Sequence, residues 1–229
     1  MKFYLSFVCF CIIFLSTIIF AKDNEQAAMT NARLGLAYLD KNMYPVSRER
    51  LLTAIQDDPH IAVSWYSMAY YLEKTDDKVN AEKYYLKAIA VDPHSGAAKN
   101  DYGAFLCRMG RYDAGLQQFN AAVSNPSYVN IAEAYENAGI CSLMKKDNTL
   151  AYQYFHKALS NNPNLPFTLL SLARLSHEKG DDQNANHYFS YLIKLESLDK
   201  SPTVLERYRR YVFQTTASNI VAQHNTSPT

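Results

Sequence analysis

Apolar residues recur along the chain at helical spacing, and no run of residues shows the period-two alternation of a half-buried strand. The whole pattern recurs with a period of 34 residues, since Pro59 and Pro93 lie 34 positions apart and each ends a segment with the same arrangement of residues. Small residues share one position of this register: Gly35, Ala69, Gly103, Gly139 and Ala173. Large residues share another: Leu51, Tyr85, Phe119, Phe155 and Phe189. A small residue that recurs with a large one predicts pairs of closely packed antiparallel helices.

This register is typical of the tetratricopeptide repeat, in which a large side chain fills the gap between two helices. The sequence predicts an all-α fold, a tetratricopeptide superhelix of about five helix-pair repeats within residues 28–199, preceded by a short polar lead at 22–27. The repeats begin at Ala28, Ala62, Gly96, Ala132 and Pro166. Between the third and fourth repeats we expect a loosened connector, residues 125–130. We expect a capping helix at residues 200–216 and a polar, disordered tail at residues 217–229.

The first 21 residues differ in composition from the repeats. Lys2 precedes an apolar run, residues 3–20, which ends at Ala21 before a polar stretch. This layout predicts a secretory signal peptide, residues 1–21, that is cleaved after Ala21. The alternative is an uncleaved membrane anchor, because the run has the minimum length for a span. In either case we expect the repeats to lie outside the cytoplasm.

Charge and motifs exclude several classes of function. The formal net charge is +1 and no basic stripe is present, so we expect no nucleic-acid partner. His177-Glu178 does not continue into a zinc-binding helix motif, and there is no glycine-rich phosphate loop. His60 and His94 follow equivalent prolines, where solvated loop histidines are expected and a shared metal is the alternative. The sequence predicts a protein that is not an enzyme and that has no metal, cofactor or small-molecule substrate.

Two cysteines, Cys107 and Cys141, lie in successive first helices of the repeats. An oxidising compartment permits a disulfide between them, and we expect one that closes a loop of roughly 34 residues and contributes about 2–4 kcal/mol. The alternative is two separate buried thiols, since a free cysteine behaves as a small apolar residue.

Function in arrays of this kind resides on the concave surface, which the first helix of each repeat lines. The positions that face this surface are apolar and aromatic near the N-terminal repeats, which predicts an amphipathic or extended partner segment. Other residues at these positions, Ala32, Leu39 and Ala104, are expected to pack between helices instead. The predicted protein-binding groove consists of Met29, Leu36, Tyr66, Tyr70, Asn100 and Ile140.

Beyond the generic repeat positions, three segments carry a more specific resemblance: residues 100–112 (NDYGAFLCRMGRY), 125–128 (NPSY) and 136–141 (ENAGIC). In these segments the chain resembles the PilW/PilF family of type IV pilus biogenesis and stability proteins, the pilotins. The resemblance implies a scaffold in the periplasm, associated with the outer membrane, that binds secretin subunits and promotes their multimerisation. Such proteins are commonly lipoproteins, whereas Cys9 and Cys11 lie inside the apolar run and lack the usual setting for lipid attachment.

The function predicted on this basis is a type IV pilus scaffold with the secretin as its protein partner, and we expect a monomer. The alternative is a general periplasmic scaffold that serves another envelope assembly. The two hypotheses share the fold and the groove, so they differ only in the identity of the partner.

Overall fold

The computed structural model describes residues 24–198, which form ten helices and no strand. They divide into two compact units, one ending at Asn130 and the other beginning at Ile131. In the first unit the helices are α1 (24–40), α2 (Tyr44–Asp57), α3 (Ala62–Lys74), α4 (Lys78–Val91), α5 (Gly96–Arg108) and α6 (Tyr112–Val123). In the second they are α7 (Ile131–Met144), α8 (Asn148–Asn161), α9 (Pro166–Glu178) and α10 (Asp182–Leu198).

The prediction of an all-α fold built from tetratricopeptide helix pairs is confirmed. Residues 24–27 of the predicted polar lead are helical and form the first turn of α1. The predicted signal peptide (1–21), capping helix (200–216) and polar tail (217–229) lie outside the described residues. Within residues 24–198, no helix is both long and apolar enough to cross a membrane.

The small and large residues of the repeat meet as the register predicts. A Cβ atom on Gly35 would lie 2.5 Å from Cγ of Leu51, and one on Gly139 would lie 2.5 Å from Cε1 of Phe155. Leu51 and Phe155 are both completely buried. The two helices of a pair therefore touch where the glycine stands, and a larger residue there would force them apart.

The turn between the helices of each pair has the same backbone conformation in all five repeats. Its second residue has a positive φ, between 58° and 77°, in each case: Asn42, Asp76, Gly110, Lys146 and Gly180. In repeat two the amide of Asp77 donates to the carbonyl of Leu72 at 2.8 Å, and the amide of Asp76 donates to Glu73. This is the Schellman arrangement, which satisfies the last carbonyl groups of the first helix. All five pairs therefore use the same kind of turn, although only two of the five have glycine at the positive-φ position.

The connector at residues 125–130 is held more firmly than the sequence predicts. Tyr128 is only 8% exposed, and its ring occupies the space that a side chain at Gly96 would need. The Asn125 side-chain amide donates to the backbone carbonyl of His94, and its oxygen accepts the amide of Ser127 at 3.0 Å. The third and fourth repeats begin 36 residues apart, at Gly96 and Ala132, rather than 34. The two extra residues lengthen the connector, which packs against the start of α5.

A half-buried histidine, His156, is expected to make the second unit sensitive to acid. His156 Nε2 lies 3.0 Å from the Tyr188 hydroxyl, and its ring centroid lies 4.5 Å from that of Tyr152. Burial, with a smaller contribution from Lys179, lowers the pKa of His156 below its usual 6.5.

A lowered pKa means that the folded chain binds this proton less well than the unfolded chain does. We therefore expect the free energy of unfolding to decrease as the pH falls below about 6.5, by at most about 1.4 kcal/mol per pH unit for one proton. Urea unfolding between neutral and mildly acidic pH measures this slope, and His156→Gln should reduce it. An equal slope in the variant would assign the effect to other groups.

Candidate protein-binding cleft

A cleft of about 400 Å³ opens in the first unit where α1 and α3 begin and α4 ends. We call it the N-terminal cleft. Its apolar lining comes from Met29 of α1, from the residues around the start of α3, and from the last residue of α4: Ile61, Ala62, Val63, Tyr66 and Val91. Its polar lining is Glu25, His60, Asp92 and Ser95. Apolar and polar groups contribute about equally to the exposed surface of this lining, which suits a peptide segment that carries both kinds of side chain.

Among the described residues that line the N-terminal cleft, two are carboxylates and none is Lys or Arg. Residues at the starts of α1, α3 and α5 and at the end of α4 line the cleft, so the helix ends contribute a net partial positive charge, which is smaller than the two full negative charges of the carboxylates. The cleft is therefore acidic because of Glu25 and Asp92. The carboxylate of Asp92 is fixed in place, since its Oδ1 accepts the amide of His94 at 2.9 Å.

The structure divides the groove residues predicted in the first two repeats. Met29 and Tyr66 line the N-terminal cleft. Leu36 and Tyr70 are half-buried and pack against the core cluster that joins α1, α2 and α3, formed by Leu39, Leu51, Met68 and Tyr71. Leu36 and Tyr70 therefore stabilise the first two repeats and do not line the cleft, whereas Tyr66 lines the cleft and also packs against core clusters of α3, α4 and α5.

The other two predicted groove residues lie in different surroundings. Asn100 of α5 is 3% exposed, and its side-chain amide donates to Asp101 at 3.3 Å. Ile140 belongs to the second unit, where it packs against a cluster of α8 and α9 residues that includes Phe155. Of the residues expected to pack between helices, Ala32 and Leu39 are confirmed as buried, and Ala104 is half-buried.

Charges near the C-terminal ends of α3 and α5 neutralise one another. Glu73 and Arg108 form a two-pronged ion pair in which Arg108 Nη2 lies 2.8 Å from Oε2 of Glu73. The hydroxyl of Tyr85 also donates to this carboxylate at 3.2 Å, and burial raises the pKa of Tyr85. A partner lying along this face would meet a neutralised pair at Glu73 and Arg108.

The groove was predicted from positions along the first helix of each repeat, and this prediction missed the remaining residues that line the cleft. His60, Ile61 and Asp92 lie at the boundaries between repeats, and Glu25 lies in the stretch that was assigned to a lead. The repeated Asp-Pro-His sequence was a usable signal. Each aspartate in it, Asp58 as well as Asp92, accepts the amide of the histidine two residues later.

The structure also places the cysteines of the predicted disulfide and the histidines that were considered as metal ligands. Cys107 and Cys141 are 3% and 1% exposed, on α5 and α7. The disulfide between them stays a prediction. His60 and His94 are exposed, and within residues 24–198 no three His, Cys, Asp or Glu residues are grouped so that they could hold a metal ion.

Comparison with known proteins supports the repeat assignment. Tetratricopeptide repeat models match residues 62–95 and residues 106–166. The type IV pilus assembly protein PilF of Pseudomonas aeruginosa is 29% identical over 168 residues, which cover 73% of this chain and 67% of that protein.

Solved structures agree with the sequence matches. That of Pseudomonas aeruginosa PilF has a TM-score of 0.69 at 24% identity, covering 84% of this chain and 93% of that one. The structure of PilW, described as a widely conserved type IV pilus biogenesis factor, has a TM-score of 0.66 at 25% identity, covering 75% and 79%. The chain is therefore a tetratricopeptide repeat protein that is similar in sequence to PilF and in fold to both PilF and PilW.

Proposed function

We propose that this protein is a type IV pilus biogenesis scaffold that binds secretin subunits and promotes their multimerisation at the outer membrane. The pilus role is supported by the similarity to PilF and PilW. The binding role is carried by one observation, the partly apolar N-terminal cleft that Met29 and Tyr66 line in the first two repeats. The scaffold acts by holding its client and needs no chemistry of its own. Its place of action is the periplasm.

The cleft is suited to an extended or helical segment with apolar side chains. Met29, Val63 and Tyr66 are half-buried, so each still has surface that a partner can cover. At about 25 cal/mol per Å², covering the exposed apolar surface of the cleft contributes on the order of 1 kcal/mol. Loss of translational freedom and ordering of the partner segment oppose this gain, so moderate affinity requires contacts of the segment beyond the cleft as well.

Replacing Tyr66 and Tyr70 together by Asp is expected to weaken secretin capture by at least tenfold, because two apolar surfaces become charged and hydrated. Co-purification of the secretin with the tagged protein from envelope extracts measures the effect. Tyr84→Asp is a matched control: Tyr84 is also half-buried and packs against the same cluster, but it lies on α4 and outside the cleft lining. Circular dichroism establishes that each variant is folded.

Undiminished secretin capture by the folded double variant would contradict the groove assignment. Capture of a different envelope protein, with no secretin among the bound proteins, would favour the general periplasmic scaffold. In that case deletion of the gene would leave piliation intact.

A further inference from the structure

The acidic character of the N-terminal cleft specifies more about its occupant than apolarity alone. We infer that the cleft takes a Lys or Arg side chain of a partner segment, with its aliphatic stem on the apolar floor and its charged end at Glu25 and Asp92. This inference rests on the proposed function and deepens it, because it names the chemistry of the residue that the scaffold recognises.

The composition of the cleft matches such a side chain in two respects. Ile61, Val63 and Val91 provide an apolar floor that methylene groups can cover, whereas an anionic residue would gain nothing from the carboxylates. The volume, about 400 Å³, accommodates one long side chain together with part of a neighbouring residue.

Charge complementarity distinguishes a cationic occupant from the alternatives. Lys or Arg is absent among the described lining residues, so the two carboxylates of the cleft have no cationic side chain of the lining to neutralise them. Glu73, farther along α3, is already paired with Arg108. An acidic segment would be repelled, and a purely apolar segment would leave Glu25 and Asp92 partly desolvated without a counter-charge.

Geometry also favours recognition by Asp92. Its carboxylate is oriented by the amide of His94, which leaves the second oxygen, Oδ2, to accept a hydrogen bond from an ammonium or guanidinium group. Glu25 is more exposed and supplies the second, more mobile carboxylate at the rim.

A library of synthetic nonapeptides, acetylated and amidated so that their ends carry no charge, tests the inference. Each sub-library has one fixed residue, and peptides retained by the immobilised full-length protein are identified by mass spectrometry. We expect Lys and Arg to be enriched about fivefold over norleucine, their uncharged analogue. The enrichment should fall as salt is raised, because the pair lies near the surface.

The variant Glu25→Gln with Asp92→Asn should lose this enrichment but still select apolar residues. The asparagine that replaces Asp92 keeps an oxygen that accepts the His94 amide, so the turn is preserved. Asp58→Asn is the matched control, because Asp58 has the same contact with His60 in the preceding repeat and does not line the cleft. It should behave as the unaltered protein does.

Selection of apolar residues without Lys or Arg would overturn the inference and leave the proposed scaffold function standing. Enrichment of Asp or Glu would overturn it as well. If sedimentation equilibrium showed dimerisation that the Glu25→Gln, Asp92→Asn variant lost, the cleft would belong to a second copy of this chain, which also overturns it. Both the inference and the proposed binding role of the cleft would be overturned if the protein enriched no residue type from the library and the Tyr66 and Tyr70 double variant captured the secretin as well as the unaltered protein does.

Discussion

Replacing Phe155 by Ala is expected to lower the free energy of unfolding by about 3–5 kcal/mol. The ring is completely buried in a cluster with Ala151, Leu172 and Leu175, which joins α8 to α9. It also fills the space that the absence of a side chain at Gly139 leaves open. Truncation removes the apolar contacts and leaves a cavity at the point where two helices touch, and backbones held on both sides cannot close it.

Urea unfolding followed by far-UV circular dichroism measures this loss. Phe167→Ala is the matched control, since Phe167 is 45% exposed and its ring centroid lies 6.3 Å from that of Phe155. The control should lose less than about 1.5 kcal/mol, because almost half of its surface is already in contact with water. Equal losses in the two variants would show that the second unit does not depend on this buried ring.

The second large effect concerns the proposed disulfide between Cys107 and Cys141. Replacing both by Ala is expected to lower the free energy of unfolding by about 2–4 kcal/mol, because the unfolded chain regains the freedom of a loop of roughly 34 residues. Reductant should lower the stability of the unaltered protein by a comparable amount and leave that of the double variant unchanged. This comparison separates loss of the cross-link from loss of the buried sulfur atoms.

Mass spectrometry after alkylation of the unfolded, non-reduced protein tests the cross-link directly. Protected Cys107 and Cys141 would support the disulfide. Full alkylation of both without reductant would establish two buried thiols, and reductant would then have no effect on unfolding.

The fold could be predicted from the sequence because its signals are local and are repeated. Each repeat has a small residue and a large residue at fixed positions, such as Gly35 with Leu51 and Gly139 with Phe155, so each repeat predicts the helix pair independently. The observed helix starts at Ala62, Gly96 and Pro166 agree with this prediction. The sequence did not predict that residues 24–27 are helical, for a physical reason. A polar first turn, solvated on all sides, has no apolar periodicity, although it can extend a helix whose later turns are packed.

The site was predicted less completely than the fold. The register places Leu36 and Tyr70 on the same helix faces as Met29 and Tyr66, but it cannot tell which of them a neighbouring side chain already covers. Leu36 and Tyr70 pack against a cluster that combines Leu39 of the first repeat with Met68 of the second. The residue pattern within a single repeat cannot predict such a contact between repeats. Asn100 was assigned by position alone, and the structure buries it.

By itself the sequence determined the class of fold, the length of the repeat and the helix pairs, because spacing at helical period fixes which residues can meet within one repeat. Only the tertiary structure decided that Glu25, Met29, Val63 and Asp92 line one cleft. Glu25 and Met29 belong to α1, Val63 belongs to α3, and Asp92 directly follows α4, so their convergence depends on how neighbouring repeats pack against each other.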